Sequence, residues 1–237
     1  MSKMTRIDKR KPEETRPMSA EAGVIKRADG SAVFRIGETI AYATVYGPRD
    51  LYPRFLQDPS KGILRVSYNM MPFSGSGDRV RPGGNRRSKE ISMVTKKALE
   101  PVIDLGDFPN AVVDVFIELP QTDAGTRCAG ICAASMALAD AGIIMKDMVT
   151  AVSVGRVGKD VVVDLSYAEE DYDCPEGVAD IPIAVLPRTG ELTLLQCDGR
   201  LKREDLKKAI ELSKDAVAKI NDIQKKALKE KFKGESQ

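Results

Sequence analysis

From residue 24 onward the chain alternates short apolar runs with turn-forming residues. Segments 24–27 and 31–36 flank Asp29-Gly30 and predict a β-hairpin, and 39–46 predicts a third strand ended by Gly47-Pro48. Another strand is expected over 63–71, where apolar and polar side chains alternate around Leu64-Arg65-Val66-Ser67-Tyr68. The period then changes to that of a helix. Ile91, Val94, Ala98, Leu99 and Val102 recur at helical spacing from Ser88, read as the N-cap, to about residue 105. A strand at 111–119 leads to a helix over 126–141, rich in Ala, Cys and Ile, that stops at Gly142. So many small residues imply close packing on a sheet. Further strands are expected near 149–155, 160–166, 181–186 and 192–197, broken by Gly155, Gly158 and Gly190. A last helix, from 202 to about 232, carries Leu206, Ile210, Val217, Ile220, Ile223 and Leu228 on one face. The order of strands, helix, strand, helix, strands, helix points to an α+β fold with helices against a largely antiparallel or mixed sheet. Residues 1–17, rich in Lys, Arg, Glu and Pro, read as an exposed N-terminal arm, and 18–237 as one domain.

Charge sharpens this outline. The net +2 conceals an acidic segment, 164–180, with seven carboxylates and no Lys or Arg. A basic stretch, 74–89, sets Arg79, Arg81, Arg86, Arg87 and Lys89 against Asp78 alone. A polyanion with a metal ion is the natural partner set for such a surface. The chain has no histidine, which excludes Ser-His-Asp and Cys-His nucleophiles and histidine-containing zinc sites. Its four cysteines lack paired C-x-x-C spacing, and Cys128 and Cys132 read as small buried apolar residues. No apolar stretch is long enough to cross a bilayer, so no membrane role and a cytoplasmic location are expected.

Candidate chemistry concentrates at Gln121-Thr122-Asp123-Ala124-Gly125-Thr126-Arg127, where a strand gives way to a helix. The first N–H groups of such a helix lack partners within it, and the macrodipole adds partial positive charge. Gly125 permits close approach of an anion, Thr126 offers a hydroxyl and Arg127 a guanidinium fork. Taken alone, these residues read first as an N-capped helix whose arginine pairs with a surface carboxylate, and only their neighbours favour the anion site. The Gly-Ser-Gly at 75–77 is followed by neither a Walker-type G-K-[ST] nor a dinucleotide fingerprint, so it is not read as a nucleotide loop. Asp180 lies directly before an apolar strand, where a carboxylate is firmly held for proton transfer or for Mg²⁺. A phosphate socket at 125–127, an arginine pair at 86–87 and Asp180 together suit phosphodiester chemistry with water or inorganic phosphate as the attacking group.

These residues resemble the RNase PH family, and most closely its branch of catalytic ring subunits of the archaeal exosome. The resemblance rests on Arg6-x-Asp8-x-Arg10-x-x-x-Glu14-x-Arg16, Met71-Pro72-Phe73, Arg86-Arg87 before Glu90-Ile91-Ser92, the segment 121–127, the small-residue run 133–142, and Asp164-Leu165 followed by Ala179-Asp180-Ile181-Pro182. It implies an RNase PH-like fold (ribosomal protein S5 domain 2-like) with mixed sheets packed against helices. It also implies a phosphorolytic 3′→5′ exoribonuclease that releases nucleoside diphosphates and can run backwards to extend RNA. By the same resemblance Gly125, Thr126 and Arg127 bind inorganic phosphate, Arg86 and Arg87 hold RNA phosphates, and Arg54 lines a pore constriction. Asp180 and a second carboxylate at Asp171, with Asp173 as the alternative, serve catalysis and hold Mg²⁺. The implied partners are single-stranded RNA, an inactive paralogous subunit completing a hetero-hexameric ring, and RNA-binding caps. Other readings are a non-catalytic RNA-binding ring subunit and a self-assembling RNase PH that trims tRNA 3′ ends. The joint presence of Asp180, Arg127, Arg86 and Arg87 favours the active subunit.

Overall fold

The computed structural model describes residues 6–76 and 80–234. Asp78 and Arg79 of the basic stretch lie outside the described residues. In chain order the elements are β1 (Met18–Ala22), β2 (Gly30–Ile36), β3 (Thr39–Asp50), β4 (Ile63–Met70), α1 (Arg86–Leu99), β5 (Ala111–Gln121), α2 (Thr126–Asp140), β6 (Thr150–Val157), β7 (Asp160–Val163), the short α3 (Tyr167–Glu170), β8 (Val178–Val185), β9 (Leu192–Leu195) and α4 (Arg203–Gly234). Five strands form one sheet in the order β1-β2-β3-β5-β4, antiparallel except for the parallel β4–β5 pair. The other four form an antiparallel sheet, β7-β6-β8-β9. The expected α+β class, with mixed sheets packed on helices, is therefore what the chain adopts.

Helix α2 is the hub. It packs against strands of both sheets and against α1 and α4, and its residues from Thr126 to Leu138 are buried except Arg127. A helix buried on all sides has no polar face, and small side chains let its neighbours approach. At Gly30 in β2 a Cβ would stand 2.3 Å from the backbone N of Ala141 and 2.4 Å from the carbonyl O of Ala137. At the other end of the core, Gln224 of α4 is wholly buried. Its side-chain oxygen accepts from Thr150 Oγ1 at 2.8 Å, and its amide donates to the carbonyls of Cys132 and Val149 at 3.2 and 3.3 Å. The long last helix is thereby latched to α2 and to the second sheet. Among the described residues no helix is long and apolar enough to cross a membrane.

Several boundaries differ from the sequence expectation. The partner of β2 is Met18–Ala22, not 24–27, because Met18, Ala20 and Ala22 alternate inward. Asp29 does not close a tight hairpin; its amide donates to the Val45 carbonyl at 3.0 Å and its carboxylate accepts from Gly47 N at 2.7 Å. That support carries β3 through Gly47-Pro48 to Asp50, with a shift in register. Helix α1 starts two residues before Ser88 and is capped by Asn85, whose side chain accepts from Ser88 N at 2.7 Å while Ser88 Oγ accepts from Asn85 N at 2.9 Å. Pro101 converts its end into a short 3-10 turn. Strand β8 begins at Val178, so Asp180 sits within the strand.

The arm differs most. Arg6 and Arg16 are only 4% and 6% exposed, because both reach inward to carboxylates at the end of β7 and on α3.

Gly30→Ala is expected to lower folding stability by about 1–3 kcal/mol or more, since the added methyl meets backbone rather than a yielding side chain. A fall in the urea midpoint at unchanged m-value measures it.

Candidate active site

Where the start of α2 meets the second sheet, the surface opens into a cleft of about 560 Å³. Gly125, Thr126 and Arg127 form one wall, Asp180 and Ser153 another, and Arg87 and Glu170 stand at the side. Residues distant in the chain meet here because β8 pairs with β6 beside the first turn of α2.

The turn into α2 is unusual. Ala124 and Gly125 both adopt left-handed backbone, at φ +56° and +61°, and no side chain caps the helix. Glycine adopts this readily, whereas alanine does so only when its surroundings hold it. Thr39 supplies part of the hold: its hydroxyl donates to the Ala124 carbonyl and accepts from Asp123 N, each at 2.8 Å. Uncapped N–H groups at a helix start, beside Arg127, make a site for a compact anion. Arg127 is itself aligned by Gln196, which accepts from its guanidinium, and by Glu90 Oε1 at 3.7 Å. Gln196 in turn donates to Glu90 at 2.9 Å.

Asp180 is fixed by its strand. Its backbone exchanges bonds with Asp198 at 2.9 and 2.8 Å, and its carboxylate accepts from Ser153 Oγ. Burial pushes this carboxyl above the usual aspartate range, opposed by Ser153 and the Arg127 charge and reinforced by Asp198. Glu170 is pushed up to about 7, chiefly by burial and then by the charge of Asp180, with Arg87, Arg16 and Arg127 pulling the other way. The cleft thus holds two carboxyls that burial raises above their ordinary ranges, close to fixed cations.

The geometry sorts the sequence candidates. Gly125, Thr126, Arg127, Arg87 and Asp180 share the cleft. Arg86 opens α1 beside Arg87 but is exposed and outside the lining. Arg54 lies in an exposed turn with Phe55, 84% exposed, and does not line the cleft. Asp171 and Asp173 are also exposed and outside it, and the carboxylate of this segment that lines the cleft is Glu170. The cause is α3: Ser166 and Glu169 form a capping box that fixes this short helix, buries Glu169 against Arg6 and leaves Asp171 as the C-cap. The Ser-x-x-Glu spacing was the sequence signal for that arrangement. Ser153 and Gln196 carry no motif and were not among the sequence candidates, and Glu90 entered only as part of the motif that follows Arg86-Arg87.

Among the described residues no group of three or more His, Cys, Asp or Glu side chains is arranged to hold a metal ion. Cys128 and Cys132 are buried, and burial pushes both thiols up, Cys132 to about 12, so neither is a nucleophile. A second cavity of about 290 Å³ adjoins the cleft and shares Arg87, Thr126 and Glu170 with it.

Comparison with known proteins gives consistent matches. Residues 14–144 match domain 1 of the 3′ exoribonuclease family, RNase PH, and residues 147–216 match its domain 2. Exosome complex component Rrp41 of Methanopyrus kandleri is 49% identical over 230 residues, covering 97% of this chain and 94% of that protein. The Rrp41 proteins of Thermococcus kodakarensis and Pyrococcus abyssi are each 49% identical over 227 residues, covering 96% of this chain and 89% of theirs. Among solved structures, rice Rrp46 superposes with a TM-score of 0.81 at 26% identity, covering 94% of this chain and all of that one.

The raised Glu170 carboxyl has a consequence for stability. The folded chain holds this proton more tightly than the unfolded chain, whose glutamate titrates near 4.5, so stability declines as pH rises from there to about 7 and then levels. Glu170→Gln removes that decline. In urea unfolding without divalent cations, the variant is expected to gain about 1–3 kcal/mol over the parent at pH 8, and the gap is expected to close towards pH 4.5.

Proposed function

The chain belongs to the 3′ exoribonuclease family of RNase PH, and on that premise we propose that it is the catalytic ring subunit of an archaeal-type exosome, degrading single-stranded RNA from its 3′ end by phosphorolysis. The observation that carries this reading is the convergence of Arg127 and Asp180 on one cleft, with the uncapped start of α2 between the cations and the acid.

Inorganic phosphate binds at Gly125, Thr126 and Arg127, where N–H groups and a guanidinium neutralise it while leaving an oxygen free to attack. Arg87, with Arg86 at the rim, holds the RNA backbone so that the last phosphodiester faces that oxygen. The new bond joins the attacking oxygen to the terminal phosphorus, and the bond to the 3′ oxygen of the penultimate nucleotide breaks. Asp180, held in β8 by Ser153 and raised above the usual aspartate range by burial, is the group placed to pass a proton to that leaving oxygen. The products are a nucleoside diphosphate and an RNA one residue shorter with a free 3′ hydroxyl. Because little energy separates the two phosphate linkages, the same groups run the reaction in reverse, drawing on nucleoside diphosphate.

Glu170 is the second functional carboxylate in this reading, in place of Asp171 or Asp173. Asp180 and Glu170 suit Mg²⁺, which takes one or two carboxylates and fills its remaining positions with water and substrate phosphate oxygens. When bound, the ion neutralises phosphate charge. Membership in a ring with paralogous subunits and RNA-binding caps, a role for Arg54 at the pore, and a cytoplasmic location follow from the exosome reading. The hydrophobic core runs through both family-matched segments, which supports taking residues 18–237 as one domain.

RNA decay is expected to require orthophosphate and to release nucleoside diphosphates. Asp180→Asn should slow it by about 100- to 10,000-fold without disturbing assembly. Chromatography of the products decides the matter, since monophosphates would mean attack by water. Arg86→Ala with Arg87→Ala should weaken RNA binding for all sequences and lower the salt slope by about 1 for each RNA phosphate that is no longer neutralised.

A further inference from the structure

Behind the socket, on the side away from the cleft, lies a buried guanidinium that the reaction itself does not use. Arg16 is absent from the cleft lining, yet its terminal NH2 would stand 3.5 Å from a Cβ placed on Gly125. Its Nε and NH2 donate to the two oxygens of Asp164 at 3.0 and 2.7 Å, and its backbone N donates to the same carboxylate at 2.7 Å. The other terminal nitrogen donates to the Asp123 carbonyl and, at 3.0 Å, to Asp123 Oδ2.

Asp123 passes the connection on. Its Oδ1 accepts from Tyr167 N, the first residue of α3, at 3.0 Å. Three residues later α3 presents Glu170 to the cleft. On the other side Asp164, 1% exposed and left-handed at φ +56°, donates its N–H to the carbonyl of Ser153, whose hydroxyl holds Asp180. One guanidinium therefore touches the backbone of the socket, and through two carboxylates it reaches both acidic groups of the cleft. Ala124 and Asp164, two non-glycine residues in the left-handed region, flank it on either side. Such backbone persists only where surrounding bonds fix it.

We propose that Arg16 and Asp123 are positioning residues that hold the phosphate socket in register with α3, so that bound phosphate and the acidic groups keep one fixed spacing. The proposal rests on the phosphorolytic reading above. Neither residue touches phosphate, RNA or the reacting atoms. Their loss loosens the turn at 123–125 and shows first in the handling of phosphate. RNA is held by arginines on a different helix and is spared.

The test measures phosphorolysis by the assembled complex carrying Asp123→Ala, Asp123→Asn or Arg16→Lys, with inorganic phosphate varied at saturating RNA and RNA affinity measured without phosphate. Asp123→Ala should raise the KM for phosphate by roughly 10- to 100-fold. RNA affinity should stay within about twofold of the parent, as for independent sites. Asp123→Asn keeps one acceptor for Tyr167 and should recover part of the loss. Arg16→Lys, which keeps the charge but not the fork, should raise the same KM while leaving Asp164 paired. An unchanged phosphate KM in both Asp123→Ala and Arg16→Lys overturns the proposal. So does a parallel fall in kcat, RNA affinity and melting temperature with no selective change in phosphate KM. A parent complex that degrades RNA without phosphate overturns the phosphorolytic reading instead, so the two failures are told apart by the control.

Discussion

Two carboxylates buried almost completely, Asp164 and Glu169, are neutralised by three arginines from the first sixteen residues. Glu169 pairs with Arg6 through both oxygens at 2.7 Å, and Asp164 receives Arg16 and, at 3.3 Å, Arg10. A carboxylate at 1% exposure without a partner would cost several kcal/mol, enough to threaten a domain of ordinary stability. Burial pushes Glu169 towards neutrality, but the bonds from Arg6 and Ser166 outweigh it and hold the group below its usual range. Arg6 also donates to the carbonyls of Val163 and Asp164, at 2.9 and 2.8 Å, so the guanidinium satisfies backbone as well as charge. What reads as a loose cationic tail is the counter-charge around which the β7–α3 junction is built.

That junction sets the chemistry. With Glu169 turned inward, the next residue of α3 is Glu170, and it turns to the cleft. With Asp164 locked, its amide fixes the Ser153 carbonyl, and Ser153 fixes Asp180. The turn from β5 into α2 contributes one wall of the cleft, and α3 and β8 contribute its acids. Between them α2 serves as a buried spacer whose uncapped first turn faces the cleft. Electrostatic positioning of this kind needs no nucleophile from the protein, which accords with a sequence lacking histidine.

The sequence pointed to the turn at 125–127, which the structure places in the cleft, because the pattern there is local: a strand, a glycine, a hydroxyl and an arginine within a few residues. It disclosed the α+β class because the change of period from two to helical spacing is plain at α1, α2 and α4. It misplaced β1, since the inward alternation of Met18, Ala20 and Ala22 is weak beside the more apolar Val24-Ile25. It pointed to Asp171, with Asp173 as the alternative, where the structure brings Glu170 to the cleft, because the motif was read linearly, whereas the face of a four-residue helix is decided by its cap. It named Arg16 within the arm motif but gave no sign of its contacts beside the turn at 123–125. The bonds joining Arg16 to Asp164 and Asp123 span separations of 148 and 107 residues, and no local pattern carries them.

The distances along the chain also order events during synthesis. Arg6 leaves the ribosome some 160 residues before the glutamate that it will neutralise, and the phosphate turn emerges well ahead of β8 and its aspartate. Contacts this remote close late, after the intervening loops have lost their freedom. About 50 residues of synthesis therefore separate the first turn of α2 from the aspartate that shares its cleft. The cleft is incomplete until the last quarter of the chain is made.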